Sequence, residues 1–150
     1  MSKALDNAEL IRTRLLTAPV AGEIPTALDI TEVEVIIDRQ KSVLTLVQTA
    51  VAKASGTAIV ILWDGWVVLD KNNKTPRLAH RYVVSVWSKP VIAGDNLAAD
   101  EVMEAVINRL WHWRPVGAHA FGEAVPGNGG LVPNNKYLIY DCEVVIPVSH

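Results

Sequence analysis

The sequence has few of the residues that build disulfides or metal centres. Cys142 is the only cysteine, which excludes a disulfide within one chain and is typical of a protein that folds in a reducing compartment. It alternates with apolar residues near the end of the chain, so we expect a small buried side chain rather than a thiolate nucleophile. The candidate metal ligands follow no recognised zinc-ligand spacing; they are His80, His112, His119 and Cys142. We therefore expect no metal site.

The sequence also lacks a recognisable catalytic or nucleotide-binding motif. Gly127, Gly129 and Gly130 are close enough together to suggest a phosphate-binding loop. However, they lead into a valine and a proline rather than into a helix, and no lysine–serine or lysine–threonine pair follows. No serine occupies a nucleophile-elbow motif, and turn or solubility roles are sufficient for Asp64 and Asp70. The sequence predicts no catalytic residue, no cofactor and no enzymatic activity.

Long apolar runs and a strong charge of one sign are absent as well. No apolar run is long enough to cross a bilayer, and the opening residues MSKALDNAELIRTRLL lack the apolar core of a signal peptide. We therefore expect a protein that is not inserted in a membrane and that is made in the cytoplasm. The formal net charge is −2 with both signs interspersed, which argues against nucleic acid as the main partner. At most, non-specific proximity to DNA is expected.

Apolar residues are what the sequence has in excess. Half of its 150 residues are apolar, a fifth are charged, and the mean hydropathy is slightly positive. A chain of this length is typical of one domain, so we assign residues 1–150 to a single domain. Two interpretations of the surplus stay open: a sheet covered on both faces, or a subunit that buries additional apolar surface against partner proteins.

Apolar residues at helical spacing indicate three helices. The first covers about residues 2–17, where Lys3 and Arg12 lie off the apolar face. The second is predicted from Thr31 to Ala54, although its opening residues VEVII alternate as those of a short strand would. The third begins after a cap at Asp95 or Asn96 and carries an apolar stripe that ends at about residue 110.

Between and after the helices, the sequence alternates with the period of strands. AIVILW and WVVL lead to the polar tip Lys71-Asn72-Asn73-Lys74, and RLAHRYVVSVW returns from it, which predicts a long β-hairpin. The segment 115–136 contains three prolines and five glycines and is predicted to be a long working loop. The final strand is YLIYDCEVVIPV. The fold class is therefore α+β, with a mostly antiparallel sheet, a long hairpin and about three flanking helices.

Three groups of residues are candidates for contacts with partner proteins. Trp63, Trp66 and Trp87 belong to a set of five tryptophans in a chain with one phenylalanine, and tryptophan is enriched at interfaces as well as in cores. On a straight strand, Trp63 and Trp66 would lie on opposite faces. The region 53–89 has six basic residues and two acidic ones, a local charge of +4, and from it we select Lys71, Lys74 and Arg77. The loop contributes Gly127, Gly129 and Gly130.

The order of these segments resembles that of tail-terminator or tail-completion proteins of tailed bacteriophages. The segments concerned are the N-terminal helix, AIVILWDGW, RLAHRYVVSVW, DEVMEAVINRL and YLIYDCEVVI, and the resemblance extends over roughly residues 4–148. The resemblance implies a structural virion protein of the tail or neck that forms a homohexameric ring, stops growth of the tail tube and presents a surface for joining to the head. Its implied partners are itself, the tail tube protein, neck or connector proteins and the sheath.

Two other functions remain compatible with the sequence. A neck or head–tail connector component would also be structural, and the sequence does not distinguish it from a terminator. A small ligand-binding or hydrolytic domain would instead place its site under the segment 115–136, with His119 as the polar group. A nucleic-acid-binding module is a weaker alternative, because the net charge is negative.

Overall fold

The computed structural model describes residues 2–17, 33–38, 43–52, 56–70, 77–89, 99–116, 122–133 and 136–148. Within these ranges the chain forms three helices and five strands. In chain order they are α1 (Lys3–Leu16), β1 (Glu34–Ile37), α2 (Val43–Val51), β2 (Thr57–Asp70), β3 (Arg77–Ser88), α3 (Ala99–Leu110), β4 (Val125–Val132) and β5 (Leu138–Pro147). The predicted α+β class, with a mostly antiparallel sheet and three helices, is confirmed.

The five strands form one sheet in the order β1-β2-β3-β5-β4. Only the β1–β2 pair is parallel, while β2–β3, β3–β5 and β5–β4 are antiparallel. The predicted hairpin is therefore present as β2 and β3. The final strand is β5, which lies inside the sheet between β3 and β4 rather than at an edge. Its burial explains why its sequence alternates so clearly.

Helices α1 and α3 cover one face of the sheet and form the main core with it. Ser2 caps α1, where its hydroxyl accepts a hydrogen bond from the amide of Leu5. The apolar stripes of both helices face the sheet as their spacing predicts. The fully buried members of this core include Ile11, Ile59, Ile61, Tyr82, Val84, Val86, Val102, Val106, Leu110, Val144 and Ile146. Most of the folding free energy that comes from apolar burial belongs to this layer.

The C-terminal ends of α1 and α3 are joined by two arginines. Arg14 Nε donates a hydrogen bond to the carbonyl of Arg109 at 2.9 Å, and Arg109 Nη1 donates to the carbonyl of Thr17, which caps α1. Each arginine therefore satisfies a carbonyl that the end of the other helix leaves without an intrahelical partner. This exchange accounts for a charged side chain, Arg109, that is only 4% exposed.

The single second helix predicted over residues 31–54 is wrong. The chain forms β1 over Glu34–Ile37 and a shorter helix, α2, over Val43–Val51. β-branched residues dominate the first segment, and pairing with β2 stabilises their extended conformation more than a helix would. The alternative interpretation of VEVII as a strand is confirmed. Helix α2 packs on the opposite face of the sheet from α1 and α3, in a smaller cluster around Val47, Val51 and Val60.

The prediction of a loop throughout residues 115–136 is also wrong, because β4 occupies Val125–Val132. The glycines and the proline of this segment made the strand difficult to predict, because both residue types are uncommon in strands. Proline has no backbone N–H to donate, and β4 tolerates Pro126 because an edge strand forms hydrogen bonds with a neighbouring strand on one side only. Gly129 lies so close to β5 that a Cβ atom there would overlap the carbonyl of Asp141. The glycine is thus part of the pairing between β4 and β5.

Candidate functional site

The outer half of β2, residues 62–70, differs from the rest of the sheet in its neighbours. Strand β1 accompanies β2 only as far as Ile61, where the amide of Asp38 donates to the Ile61 carbonyl at 2.8 Å. Beyond that point, β3 is the only strand beside β2 among the described residues. The exposed large apolar side chains of this half are Leu62, Trp63, Trp66, Val68 and Leu69. We call residues 62–70 the outer β2 segment.

Trp63 and Trp66 lie on the same face of the sheet, so the prediction of opposite faces is wrong. Trp63 is opposite Tyr82 and Trp66 is opposite His80, two residues apart on β3, because the register shifts by one residue between the two tryptophans. Gly65 allows this bulge with a φ of +108°. The two indole rings meet edge to face at 4.9 Å, and Trp63 Nε1 donates to the Gly65 carbonyl at 3.0 Å. The bulge converts two separate side chains into one aromatic pair.

A buried base of rings supports the tryptophan pair. The ring centroid of Trp63 is 6.0 Å from that of His80, which is 6.4 Å from that of Tyr82. The Tyr82 hydroxyl donates to the carbonyl of Ala4 at 2.7 Å, linking this base to the first turn of α1. Burial raises the pKa of Tyr82 well above its ordinary range. His80, only 6% exposed, is therefore a packing element of the pair rather than a surface group.

Charged residues of β2 and β3 accompany the outer β2 segment at its bulge and at its end. Arg81 contacts Asp64 in an ion pair of 3.3 Å between Nε and Oδ2, and its Nη2 also donates to the Asp64 carbonyl. This contact holds the chain at the bulge. Arg77 is exposed at the start of β3, directly opposite Asp70. The predicted tip residues Lys71 and Lys74 fall outside the described residues.

Trp87 has a different environment from the other two predicted anchors. It is half-buried and packs against Tyr137 with ring centroids 5.6 Å apart. Both rings contact the smaller apolar cluster under α2. The structure therefore separates Trp87 from the Trp63–Trp66 pair, and its role at an interface stays a prediction.

The three glycines predicted in a working loop lie on strand β4 instead. Residues 127–130 are exposed, and the register with β5 shifts between Pro126 and Gly129. The Gly130 amide donates to Asp141 Oδ1 at 3.3 Å, across the strand pair. Because these amides belong to a strand edge, they do not form the converging ring of donors that a phosphate-binding loop needs. The segment is an exposed sheet edge with little side-chain bulk.

The candidate metal ligands are scattered over the described part of the fold. His112, which follows α3, contacts Glu123 through Nδ1 and Oε2 at 2.9 Å, and both side chains are exposed. Cys142 is buried on β5, and burial is the main cause that raises the pKa of its thiol. His119 lies outside the described residues. Among the residues that are described, no three histidine, cysteine, aspartate or glutamate side chains are grouped to hold a metal ion.

Sequence reasoning missed a groove of about 490 Å³ between α1 and β1. It is lined by residues 33–37, which include β1, and by side chains such as Arg12, Leu16 and Leu46. Arg12 Nε donates to the Val35 carbonyl at 3.0 Å and so occupies part of the open edge of β1. No pattern in the sequence predicts this groove, because it depends on the unforeseen division of residues 31–54 into β1 and α2.

None of the helices in the described ranges combines the length and the hydropathy that crossing a bilayer requires. No known protein family matches this sequence, and no curated protein shows significant similarity to it.

Proposed function

We propose that this protein is a structural subunit of a phage tail, which forms a ring at the head-proximal end of the tail tube, stops tube growth and provides the surface for joining to the head. The observation that carries the proposal is the exposed tryptophan pair on the outer β2 segment. Trp66 is 59% exposed and Trp63 is 37% exposed, although both are held in place by a buried base. An ordered and exposed aromatic pair is typical of an interface anchor.

The surroundings of the pair support an interface that is buried in an assembly. Five large apolar side chains are exposed within nine residues of one strand, and on the side away from β3 this part of the strand pairs with no other strand in the described ranges. Soluble monomers rarely leave an apolar patch of this kind uncovered on a strand edge, because it promotes association. In a closed ring every subunit covers such a surface with its neighbour.

The element order supports the choice of a tail terminator among ring-forming proteins. The helix, hairpin, helix and final strand that carry the resemblance correspond to α1, β2–β3, α3 and β5. In this proposal the subunit contacts its own copies, the tail tube protein, neck or connector proteins and the sheath. It belongs to the tail or neck of the virion, is assembled in the cytoplasm of the host and needs no cofactor.

The test is the mass of the purified protein by light scattering over a concentration series, followed by imaging of the large species. We expect a six-membered ring. We also expect Trp66→Ala to shift the assembly toward the monomer by at least tenfold in concentration. The free energy of unfolding of the subunit should change by less than about 1 kcal/mol, because the indole of Trp66 is already largely exposed to solvent.

Leu44→Ala is the matched control, because Leu44 is a similarly exposed apolar residue, at 53%, on a different element, α2. It should leave ring formation unchanged. A wild-type protein that remains a monomer at all concentrations would contradict the proposed ring. A ring that forms equally well with Trp66→Ala would remove the tryptophan pair from the interface.

A further inference from the structure

The first and the last strand of the sheet lie in the same rows of residues. Strand β1 begins the order β1-β2-β3-β5-β4 and β4 ends it, and neither pairs with a further strand within the described ranges. The residue pairs across the sheet connect Val35 with Leu131, and Ile37 with Gly129. The two strands run in opposite directions. The β4 strand of a second copy therefore reaches β1 in antiparallel orientation without a shift along the strands.

The free edge of β1 presents the backbone groups of two residues. The Asp38 amide donates to the Ile61 carbonyl on β2, so alternation along β1 turns the N–H and C=O groups of Ile37 and Val35 away from β2. The Arg12 side chain confirms this direction, because its Nε donates to the Val35 carbonyl from the side of α1.

The free edge of β4 presents its backbone groups in the same two rows. The Val148 amide donates to the Leu78 carbonyl, so the even-numbered residues of β5 face β3 and the odd-numbered ones face β4. The partners of these odd-numbered residues are the even-numbered residues of β4. Gly129 and Leu131 therefore direct their N–H and C=O groups toward the free edge, as the residues in their rows on β1 do.

The groove beside β1 suits the side chains of β4. Leu16 of α1 and Leu46 of α2 line it from the two faces of the sheet, and they are 51% and 50% exposed. Leu131 is 59% exposed and lies on the same face as Tyr140, which packs against the core under α1 and α3. A neighbour's Leu131 in the groove would thus lie on the side of Leu16. On the other face, Gly130 has no side chain and leaves room for Leu46.

We propose that β4 of one copy adds to β1 of the next copy as an antiparallel strand, with Leu131 opposite Val35 and Gly129 opposite Ile37. This inference rests on the proposed ring and specifies its contact. The Leu131 amide replaces Arg12 as the donor to the Val35 carbonyl, as in other cases of strand addition to a sheet edge. Because the two edges are different parts of the molecule, the contact is head-to-tail, and the absence of a shift along the strands favours a closed ring over an open filament.

The first test is a disulfide between the two edges. Glu34 and Val132 share the next row, which is a non-hydrogen-bonded pair in this contact, where side chains lie closest. A chain with Glu34→Cys and Val132→Cys should form disulfides between copies on mild oxidation, and denaturing gels should show products up to the hexamer. Within one copy, four strand spacings or about 19 Å separate the two positions, too far for a disulfide. The natural Cys142 is buried.

Two controls test the direction and the register of the contact. Each single cysteine variant should give no cross-linked product, because a head-to-tail contact never brings two identical edges together. The combination of Glu34→Cys with Leu131→Cys is the matched control, since Leu131 is one residue out of register and lies on the other face. It should cross-link at least tenfold less than the combination with Val132→Cys.

The second test removes one donor from the free edge. Leu131→Pro deletes the amide that the neighbour requires and keeps the hydrogen bonds between β4 and β5, and edge strands tolerate proline at such a position. It should weaken self-association by at least tenfold in light scattering. Leu131→Ala keeps the amide and should weaken it less. Circular dichroism should show the same folded content in both variants, and the cross-linking test does not require the proline variant to fold.

The outcomes distinguish this contact from the ring itself. If the wild type forms a ring and the chain with Glu34→Cys and Val132→Cys gives no more cross-linked product than the matched control, the ring stands and the contact is overturned. If the wild type stays a monomer at all concentrations, both are overturned. A ladder of products that continues far beyond six copies would support the contact and overturn the closed ring.

Discussion

The inner and outer parts of β2 are both rich in apolar residues, but their environments are opposite. All residues from Thr57 to Ile61 are at most 4% exposed, since β1, β3 and helices on both faces surround them. In residues 62–70 the apolar side chains continue, but β1 has ended and five large ones are exposed. The difference shows that the neighbours of this strand, rather than its composition, decide which residues build the core and which remain available to a partner.

In the proposed assembly, this division separates the residues that stabilise the subunit from those that would contact a neighbour. Substitutions in the inner half should change the free energy of unfolding, whereas those in the outer β2 segment should change association. Tyr82 marks the boundary, because it is opposite Trp63 on the sheet and also holds the first turn of α1.

The largest expected effect comes from Ile61→Ala compared with Leu62→Ala. Ile61 is fully buried and Leu62 is 37% exposed, although the two are neighbours on β2. Truncating Ile61 should lower the free energy of unfolding by about 3 kcal/mol, because it leaves a cavity in the main core. Truncating Leu62 should cost less than about 1 kcal/mol. Urea titration followed by tryptophan fluorescence measures both values. Equal losses of unfolding free energy in the two variants would contradict the difference between the inner and outer parts of β2.

A second comparison concerns the other exposed part of the sheet, β4. Gly129→Ala should destabilise the protein by about 2 kcal/mol, because the new Cβ would overlap the Asp141 carbonyl and push β4 away from β5. Gly130→Ala is the matched control, since a Cβ there has no atom within 4 Å. It should stay within about 0.5 kcal/mol of the wild type. Hydrogen exchange of the β4 amides would locate the loss, and similar values for both variants would show that β4 does not depend on its close approach to β5.

The sequence predicted the elements whose periodicity agrees with their burial. Helices α1 and α3 and strands β3 and β5 each bury one face, so the apolar spacing indicated them correctly. The division into β1 and α2 was missed because the apolar spacing of residues 31–54 also fits one helix. Strand β4 was missed because its pairing depends on the backbone of glycine rather than on side chains.

The residues of the candidate site could be predicted from the sequence, but their relative positions in the sheet could not. The abundance of tryptophan indicated Trp63 and Trp66 as candidate anchors, a role that stays a prediction. The bulge at Asp64 and Gly65 then moved them to one face, and one extra residue in a strand is enough to reverse the face of every side chain that follows. Likewise, the exposure of Trp63 and Trp66 depends on where β1 ends, and the sequence of β2 alone does not predict that position.

The smallest expected effect tests the boundary itself, through Tyr82→Phe. Loss of the hydrogen bond to the Ala4 carbonyl should lower the free energy of unfolding by about 1 kcal/mol at pH 7, while the packing of the ring is kept. The pH dependence provides the sharper readout. Burial raises the pKa of Tyr82 in the folded protein, whereas an unfolded tyrosine ionises at about pH 10.

Above about pH 10 the unfolded state therefore loses a proton that the folded state keeps, and the wild type loses stability as the pH rises. The variant lacks this contribution, so its deficit of about 1 kcal/mol should shrink at up to about 1.4 kcal/mol per pH unit and vanish near pH 11. The other ionisable groups are the same in both proteins, so their contributions cancel in the difference. A stability difference between wild type and Tyr82→Phe that stayed constant from pH 8 to pH 11 would show that the Tyr82 hydroxyl is not shielded from solvent. The buried part of the sheet would then end before Tyr82, despite the hydrogen bond from Tyr82 to α1.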